Sequence, residues 1–337
     1  MTSLSEVIDA TASAAAITSI TPPPTAEAEP TRETESGSGL VHFQYRFFQA
    51  RVVATHRLGP STVRVTFGGE QLRDFAGGGR DQSFSLFLPS PGQDAPPVPV
   101  DAGDGWYAQW HAVDADLRGV MRSYTVRSQD RDRGEIDVDF VLHGADGAAA
   151  GPAGPASRWA AEAAPGHRVV LLGPAVEDNR SVSFHPPADT DWVLIAADET
   201  ALPAAAAILE SLSPNLRVRA WIEVPDLKDA QDLVSLADAD ITWLVRDPLR
   251  RHGALLADEI SGAAFPDGTP YAWIAGEAGT VRTLRRHLVG ERGVDRKRVE
   301  FAGYWRLGAD EEQLRAERIA SVGATDDSAA TATEAAQ

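Results

Sequence analysis

The chain has 337 residues, 43% of them hydrophobic and 24% charged, which is long enough for two domains of ordinary size. It has no cysteine, which excludes disulfides, thiolate metal sites, cysteine-ligated iron–sulfur clusters and a cysteine nucleophile. A net charge of −18 argues against a nucleic-acid binder, and no apolar run approaches the ~20 residues of a membrane helix. Residues 1–9 carry acid rather than the basic start of a secretory signal, so a soluble, cytoplasmic protein without membrane insertion is expected.

Residues 1–40 are rich in Ser, Thr, Ala, Pro and Glu and show no sustained apolar period, so a disordered tail is expected there. Six acids stand against one base in that stretch and seven against two in 310–337, which leaves the middle of the chain only mildly acidic. Residues 48–58 and 62–68 alternate apolar and polar side chains across Gly59-Pro60, a β-hairpin pattern. Further strands are predicted over 83–88, 122–127, 135–142 and 168–172, separated by Gly77-Gly78-Gly79 and the Pro/Asp/Gly run of 90–105. Short strands at this spacing predict a small antiparallel barrel, with one helix inside it over 156–164.

After Asp189 the pattern changes. Residues 192–196 form a continuous apolar run, as in a strand buried on both faces. A helix is predicted over 202–212, with Thr200 available as its cap and Pro203 in its first turn. Strands over 217–224, 240–245, 271–275 and 298–302 then alternate with helices over 253–260 and 280–292. Such alternation predicts a parallel sheet with helices on its faces. The expected organisation is a tail over 1–40, a barrel over 41–180, an α/β domain over 188–308, and a helix start with an acidic disordered tail over 309–337.

Arg122, Ser123, Tyr124 and Thr125 lie on a predicted barrel strand, where alternation sets Arg122 and Tyr124 on one face. A cation, a flat aromatic and hydroxyls suit a ligand with phosphate and a planar ring; an ordinary strand with a solvated Arg and half-buried Tyr is the plain alternative. His143 and Gly144 end the next strand. A glycine-rich loop then leads to Gly154, Pro155, Ala156, Ser157, Arg158 and Trp159, the pattern of a helix N-terminus able to receive phosphate. Its plain alternative is an Ala/Gly loop before a surface helix. The two segments together point to a dinucleotide.

In the second half, Asp198, Glu199 and Thr200 stand where a GxGxxG turn would be, so the standard dinucleotide fingerprint is absent. These residues suit either a polar site or a helix start. Gly276 and Glu277 follow another buried strand, at the carboxyl end where open α/β sheets bind ligands. Glu223 is either a ribose acceptor favouring NADH or a surface acid. The eight histidines show no HExxH spacing, so no protein-held metal is expected.

Five blocks in order carry a wider resemblance: Arg122-Ser123-Tyr124-Thr125, the segment from His143-Gly144 to Trp159, Ala197-Asp198-Glu199-Thr200-Ala201-Leu202-Pro203, Ala275-Gly276-Glu277-Ala278, and Gly303-Tyr304-Trp305-Arg306. Together, over about residues 45–308, they resemble the siderophore-interacting protein family. The resemblance implies a ferredoxin-reductase-like fold: an antiparallel six-stranded FAD-binding barrel followed by a parallel-sheet nicotinamide-binding-type domain. It implies an oxidoreductase that carries electrons from NADH or NADPH, or from ferredoxin, through FAD to a ferric siderophore, releasing ferrous iron in the cytoplasm. A flavin accepts an electron pair and passes electrons singly, which matches a nicotinamide donor to a ferric acceptor.

By position, Arg122 would neutralise FAD phosphate, Tyr124 would lie against the isoalloxazine, and Ser123 and Thr125 would complete that strand, with Thr125 near the ring's reactive nitrogen. His143, Gly144, Gly154, Pro155, Ala156 and Ser157 would hold the ribityl and pyrophosphate part. Asp198, Glu199, Thr200 and Ala201 would face the flavin and the nicotinamide path, with Thr125, Asp198, Glu199 and Thr200 as the catalytic set. Gly276 and Glu277 would line the nicotinamide cleft, Trp305 would cover the cofactor, and Arg306 would attract the chelate. Family members often carry another basic residue after this block, and here Leu307 stands instead, which favours a less anionic, hydroxamate-type siderophore. A general flavin or electron-transfer reductase of the same fold, and a siderophore-binding module without turnover, are the competing readings.

Overall fold

The computed structural model describes residues 44–142 and 154–309. The tail expected over 1–40, all but the first residue of the segment expected over 309–337, and the proposed cofactor residues His143 and Gly144 lie outside the described residues.

The first half is an antiparallel sheet in the order β4-β3-β7-β1-β2-β6-β5. Its strands are β1 (Tyr45–Arg57), β2 (Thr62–Gly68), β3 (Ser83–Leu88), β4 (Val120–Thr125), β5 (Ser128–Asp130), β6 (Glu135–Val141) and β7 (Arg168–Pro174). Seven segments make six strands' worth of barrel, because β4 and β5 are one bent strand. Val126 N–H donates to the Gln82 carbonyl at 2.9 Å, and Arg127 N–H to the Asp137 carbonyl at 2.9 Å. Pairing thus passes from β3 to β6 within two residues, and the sheet closes on itself. The inward residues Phe48, Val65, Phe67, Leu86, Ile136, Val138, Phe140 and Leu171 are all fully buried, as alternation along strands with one wet face requires.

Two helices precede β4: α1 (Trp106–Ala112) and α2 (Ala115–Arg118). Neither is among the predicted elements. Trp106 and Trp110, one turn apart on α1, cover the outside of the barrel at Phe87, Met121 and Leu172. The helix expected over 156–164 is α3 (Pro155–Ala161). It stops early because Pro165 disfavours helical backbone at Ala164, and Gly166 turns the chain with φ 97°.

The second half is a parallel sheet in the order β10-β9-β8-β11-β12. It comprises β8 (Trp192–Asp198), α4 (Leu202–Ser211), β9 (Arg217–Val224), β10 (Asp238–Val245), α5 (Ala254–Gly262), β11 (Pro270–Glu277), α6 (Ala278–Arg286) and β12 (Val299–Trp305). The unbroken apolar run of β8 has a simple cause. Val193, Ile195 and Ala197 pack on the α4 side, while Trp192, Leu194 and Ala196 pack on the α5 and α6 side. The helix expected over 280–292 is α6, which continues as a wider π turn over His287–Glu291. Strand β12 runs past the predicted 302, so Tyr304 and Trp305 end a strand rather than start a loop.

The halves are joined at Asp81, which is 1% exposed. Its carboxylate accepts from Ser183 N (3.1 Å), Ser183 Oγ (2.5 Å), Phe184 N (3.0 Å) and Trp273 Nε1 of β11 (3.1 Å). Arg127 and Glu210 of α4 add a two-pronged ion pair at 2.6 and 3.0 Å.

Candidate functional site

Strand β4 sets Arg122 opposite Leu86, Tyr124 opposite Phe84 and Thr125 opposite Ser83. Arg122, Ser123 and Tyr124 are half-buried, while Thr125 is buried. The Tyr124 ring lies 4.4 Å from that of Phe140, and Trp159 of α3 lies 5.9 Å from Phe140 and stacks on Phe67 at 6.1 Å. This aromatic chain fixes α3 against β2, β4 and β6, and brings Gly154, Pro155, Ala156 and Ser157 beside the Arg122–Tyr124 strand. Gly154 caps α3 without a side-chain bond, and Ala156 and Ser157 are buried. The positive end of the helix is therefore not covered by a capping side chain.

At the end of β4, the Thr125 side chain lies beside the Tyr304 hydroxyl, near the end of β12. Burial holds the Tyr304 phenol well above its usual range, so it stays protonated. The barrel strand and the last strand of the parallel sheet thus meet at one point.

Beside that junction, the carboxyl ends of the parallel strands converge on Asp198. Its Oδ1 accepts from Thr200 N (3.0 Å) and Thr200 Oγ1 (2.5 Å), and its Oδ2 from Glu277 N (2.8 Å) and Trp305 Nε1 (2.9 Å). Glu277 N–H reaches Asp198 because β11 is irregular between Gly276 and Glu277. Gly276 has φ +139°, and a Cβ there would lie 2.5 Å from Asp198 Oδ2, so only glycine fits. Glu277 then caps α6, its Oε2 accepting from Thr280 N at 2.8 Å.

Directly after β8, Glu199 is 2% exposed and pairs through Oε2 with Arg246, which also donates to Glu223 Oε1 at 3.0 Å. Burial pushes the Glu199 carboxyl up to about 7, with the Asp198 charge adding to the push and Arg246 opposing it. His252 follows in the loop after β10, its ring edge-on to Trp305 at 4.7 Å between centroids. Burial, and then the Arg246 charge, hold its imidazole below the usual histidine value. Asp198, Glu199 and His252 bring one ligand-type atom each within 4.8 Å of one another. Asp198 already accepts four bonds, however, and a guanidinium sits on Glu199, so the set is poorly suited to a cation.

Of the residues singled out in the sequence, Asp198, Thr200, Glu277 and Trp305 form one hydrogen-bonded unit, with Gly276 packed against Asp198. Arg122, Ser123, Tyr124 and Thr125 lie on β4, with Ala156 and Ser157 nearby on α3. Ala201 is the fully buried first cap of α4. Two expectations are corrected. Thr200 does not cap α4, because its hydroxyl is spent on Asp198. Glu223 is neither a surface acid nor available to a ribose: it is 1% exposed, bound to Arg246 and to the N–H groups of Gly253 and Leu256. Arg246, His252 and the Thr125–Tyr304 contact went unseen. The first two lie in the loop after a parallel strand, at the sheet edge where such folds gather their polar groups, and that position is the signal that marks them.

Two family models match the chain: the siderophore-interacting FAD-binding domain over residues 51–178 and the siderophore-interacting protein over residues 190–308. The chain belongs to the siderophore-interacting protein family. It is 31% identical to the ferric vibriobactin reductase of Vibrio cholerae over 258 residues, covering 76% of this chain and 88% of that one. It is also 31% identical to the NADPH-dependent ferric-chelate reductase of Escherichia coli, with 77% and 93% covered. Among solved structures, a siderophore utilization protein from T. fusca superposes with TM-score 0.65 at 33% identity, covering 80% of this chain and 95% of that one. A ferredoxin reductase of carbazole 1,9a-dioxygenase, at 18% identity and TM-score 0.50, shares the fold. The first half fits the FAD that its domain implies: a half-buried Arg and Tyr lie on one strand, and against that strand packs a helix whose cap uses no side chain.

Proposed function

We propose that this protein is an FAD-dependent reductase that takes electrons from NADPH or NADH and delivers them to a ferric siderophore, so that ferrous iron is released in the cytoplasm. The observation that carries this reading is the Thr125–Tyr304 contact, because it brings the cofactor-type strand of the barrel to the carboxyl edge of the parallel sheet. Arg122 would neutralise phosphate, Tyr124 would pack on the flavin, and Ala156 and Ser157 would meet the pyrophosphate at the α3 start. When bound, FAD supplies the change from two-electron to one-electron chemistry.

The chain's own residues orient the partners. Asp198 fixes Trp305 and the Glu277 backbone, and so sets the wall of the nicotinamide path. Arg306, directly after β12, would attract the chelate, and Leu307, 66% exposed, leaves the approach less basic. That favours a hydroxamate-type chelate over a strongly anionic catecholate. The reductase names of the two bacterial relatives support the activity, and NADPH in one of them supports the donor.

Ferrous iron formation should be followed with a ferrous-specific chromophoric chelator, using NADH or NADPH with ferric hydroxamates, ferric catecholates and quinone acceptors. Reduction of ferric siderophores well above quinones is expected, hydroxamates leading. Faster turnover of quinones or free flavin would favour a general flavin reductase instead.

A further inference from the structure

We propose that Glu199 and His252 form a proton-accepting pair beside the reaction site, taking up the proton left when two electrons of a nicotinamide hydride pass to two ferric chelates. The proposal rests on the reductase reading. One NAD(P)H becomes NAD(P)+ by giving up two electrons and a proton. Each ferric centre takes one electron and becomes ferrous. The proton has no place in either product and needs a base.

The cluster at the sheet edge singles out one. Four carboxylates, from Asp198 at the end of β8, Glu199 directly after it, Glu223 on β9 and Glu277 on β11, surround the Arg246 guanidinium and the His252 imidazole. Three of the four are well satisfied. Asp198 accepts four bonds; Glu223 holds Arg246 and two backbone N–H groups; Glu277 holds Thr280 N and Oγ1 and the Leu307 N–H. Glu199 Oε1 is buried with no hydrogen-bond partner among the described residues, and so are both ring nitrogens of His252. An orphaned acceptor beside an orphaned donor–acceptor ring is costly unless a proton is shared between them. Their reach, within 4.8 Å, is one that a small side-chain rotation or a single water closes. The pair is tied to the reaction site through Trp305, which touches His252 and binds Asp198, and whose neighbour Tyr304 reaches Thr125.

Two readouts test this on the FAD-loaded protein. In the first, ferric siderophore reduction is measured from pH 5.5 to 9. The wild-type rate is expected to rise through about pH 7 as Glu199 loses its proton. E199Q and H252Q should each lose this limb and fall about tenfold or more at pH 8. In the second, independent of turnover, the ring 15N shifts of His252 are followed by NMR. They should respond in the wild type as Glu199 titrates, near pH 7, and lose that response in E199Q. An unchanged limb in both variants, or a response that survives in E199Q, overturns the pair. H252Q changes a half-buried side chain and decides the question should E199Q fail to fold. A wild type that reduces no ferric chelate at any pH defeats the reductase reading instead, and the NMR response still decides whether the two groups share a proton.

Discussion

Tyr124 and Arg122 occupy one strand but would serve different interactions with the proposed FAD, so their loss should be separable. On the proposed reading, Arg122→Ala would remove charge-assisted bonds to phosphate worth roughly 1.5–3 kcal/mol, and Tyr124→Ala a ring contact worth about 1 kcal/mol. FAD retention after dialysis should fall roughly five- to a hundredfold, with Arg122→Ala at least as affected. Leu117→Ala, on an exposed residue of α2, should retain full FAD. Asp198→Asn replaces an oxygen that accepts two of the four bonds by an amide donor. A loss of about 3 kcal/mol in urea unfolding is expected. A change under about 0.5 kcal/mol would mean the network contributes nothing. The Glu199 carboxyl, raised from 4.5 to about 7, binds its proton more tightly in the folded than in the unfolded chain. Its contribution to stability is therefore full below about pH 4.5 and is lost as pH rises through about 7. Melting temperature should fall between about pH 4.5 and 7 and level off above 7 in the wild type, and fall less over that window in Glu199→Gln. At this scale Asp198 and Thr200 were legible because they end the apolar run of β8. Arg246 was not, since it meets Glu199 across 47 residues of sequence and no local pattern joins them.

Elements whose sequence period matches one packing environment were readable. Strand β8 declares burial on both faces, and the β1–β2 hairpin declares one wet face. Elements defined by a switch of partner were not. The bend from β4 to β5 depends on which strand each N–H meets, and that is a tertiary fact. Helix α1 is short and is anchored by two tryptophans on the barrel wall, so its pattern competes with the turn-rich sequence before it. Gly276 shows how a single backbone position governs an element's end. Its positive φ turns β11 so that Glu277 N–H meets Asp198 while the Glu277 side chain starts α6. Gly276→Ala would clash with Asp198 and strain the backbone, costing about 2 kcal/mol or more. Urea unfolding of this variant close to wild type would contradict the assigned role of that turn.

The whole molecule depends on how the two halves are held together. Asp81, just ahead of β3 of the barrel, binds the linker at Ser183 and Phe184 and Trp273 in the parallel sheet. Asp81→Ala leaves these donors buried and unpaired, so calorimetry should resolve two transitions where the wild type shows one. A single unshifted transition would show that the halves are coupled elsewhere. The order of barrel and α/β half was legible from the change of period after Asp189. The junction itself was not, because Thr125 and Tyr304 lie far apart in sequence and only the closed barrel brings them together. The central claim is that electrons cross this junction from nicotinamide through flavin to ferric chelate. Anaerobic absorbance at the flavin band measures it most directly. NADPH or NADH should bleach the FAD-loaded protein, and a ferric hydroxamate siderophore should restore the band at two chelates per flavin, with matching ferrous iron. A flavin that neither donor bleaches, or one that stays bleached in excess ferric siderophore, would contradict the account.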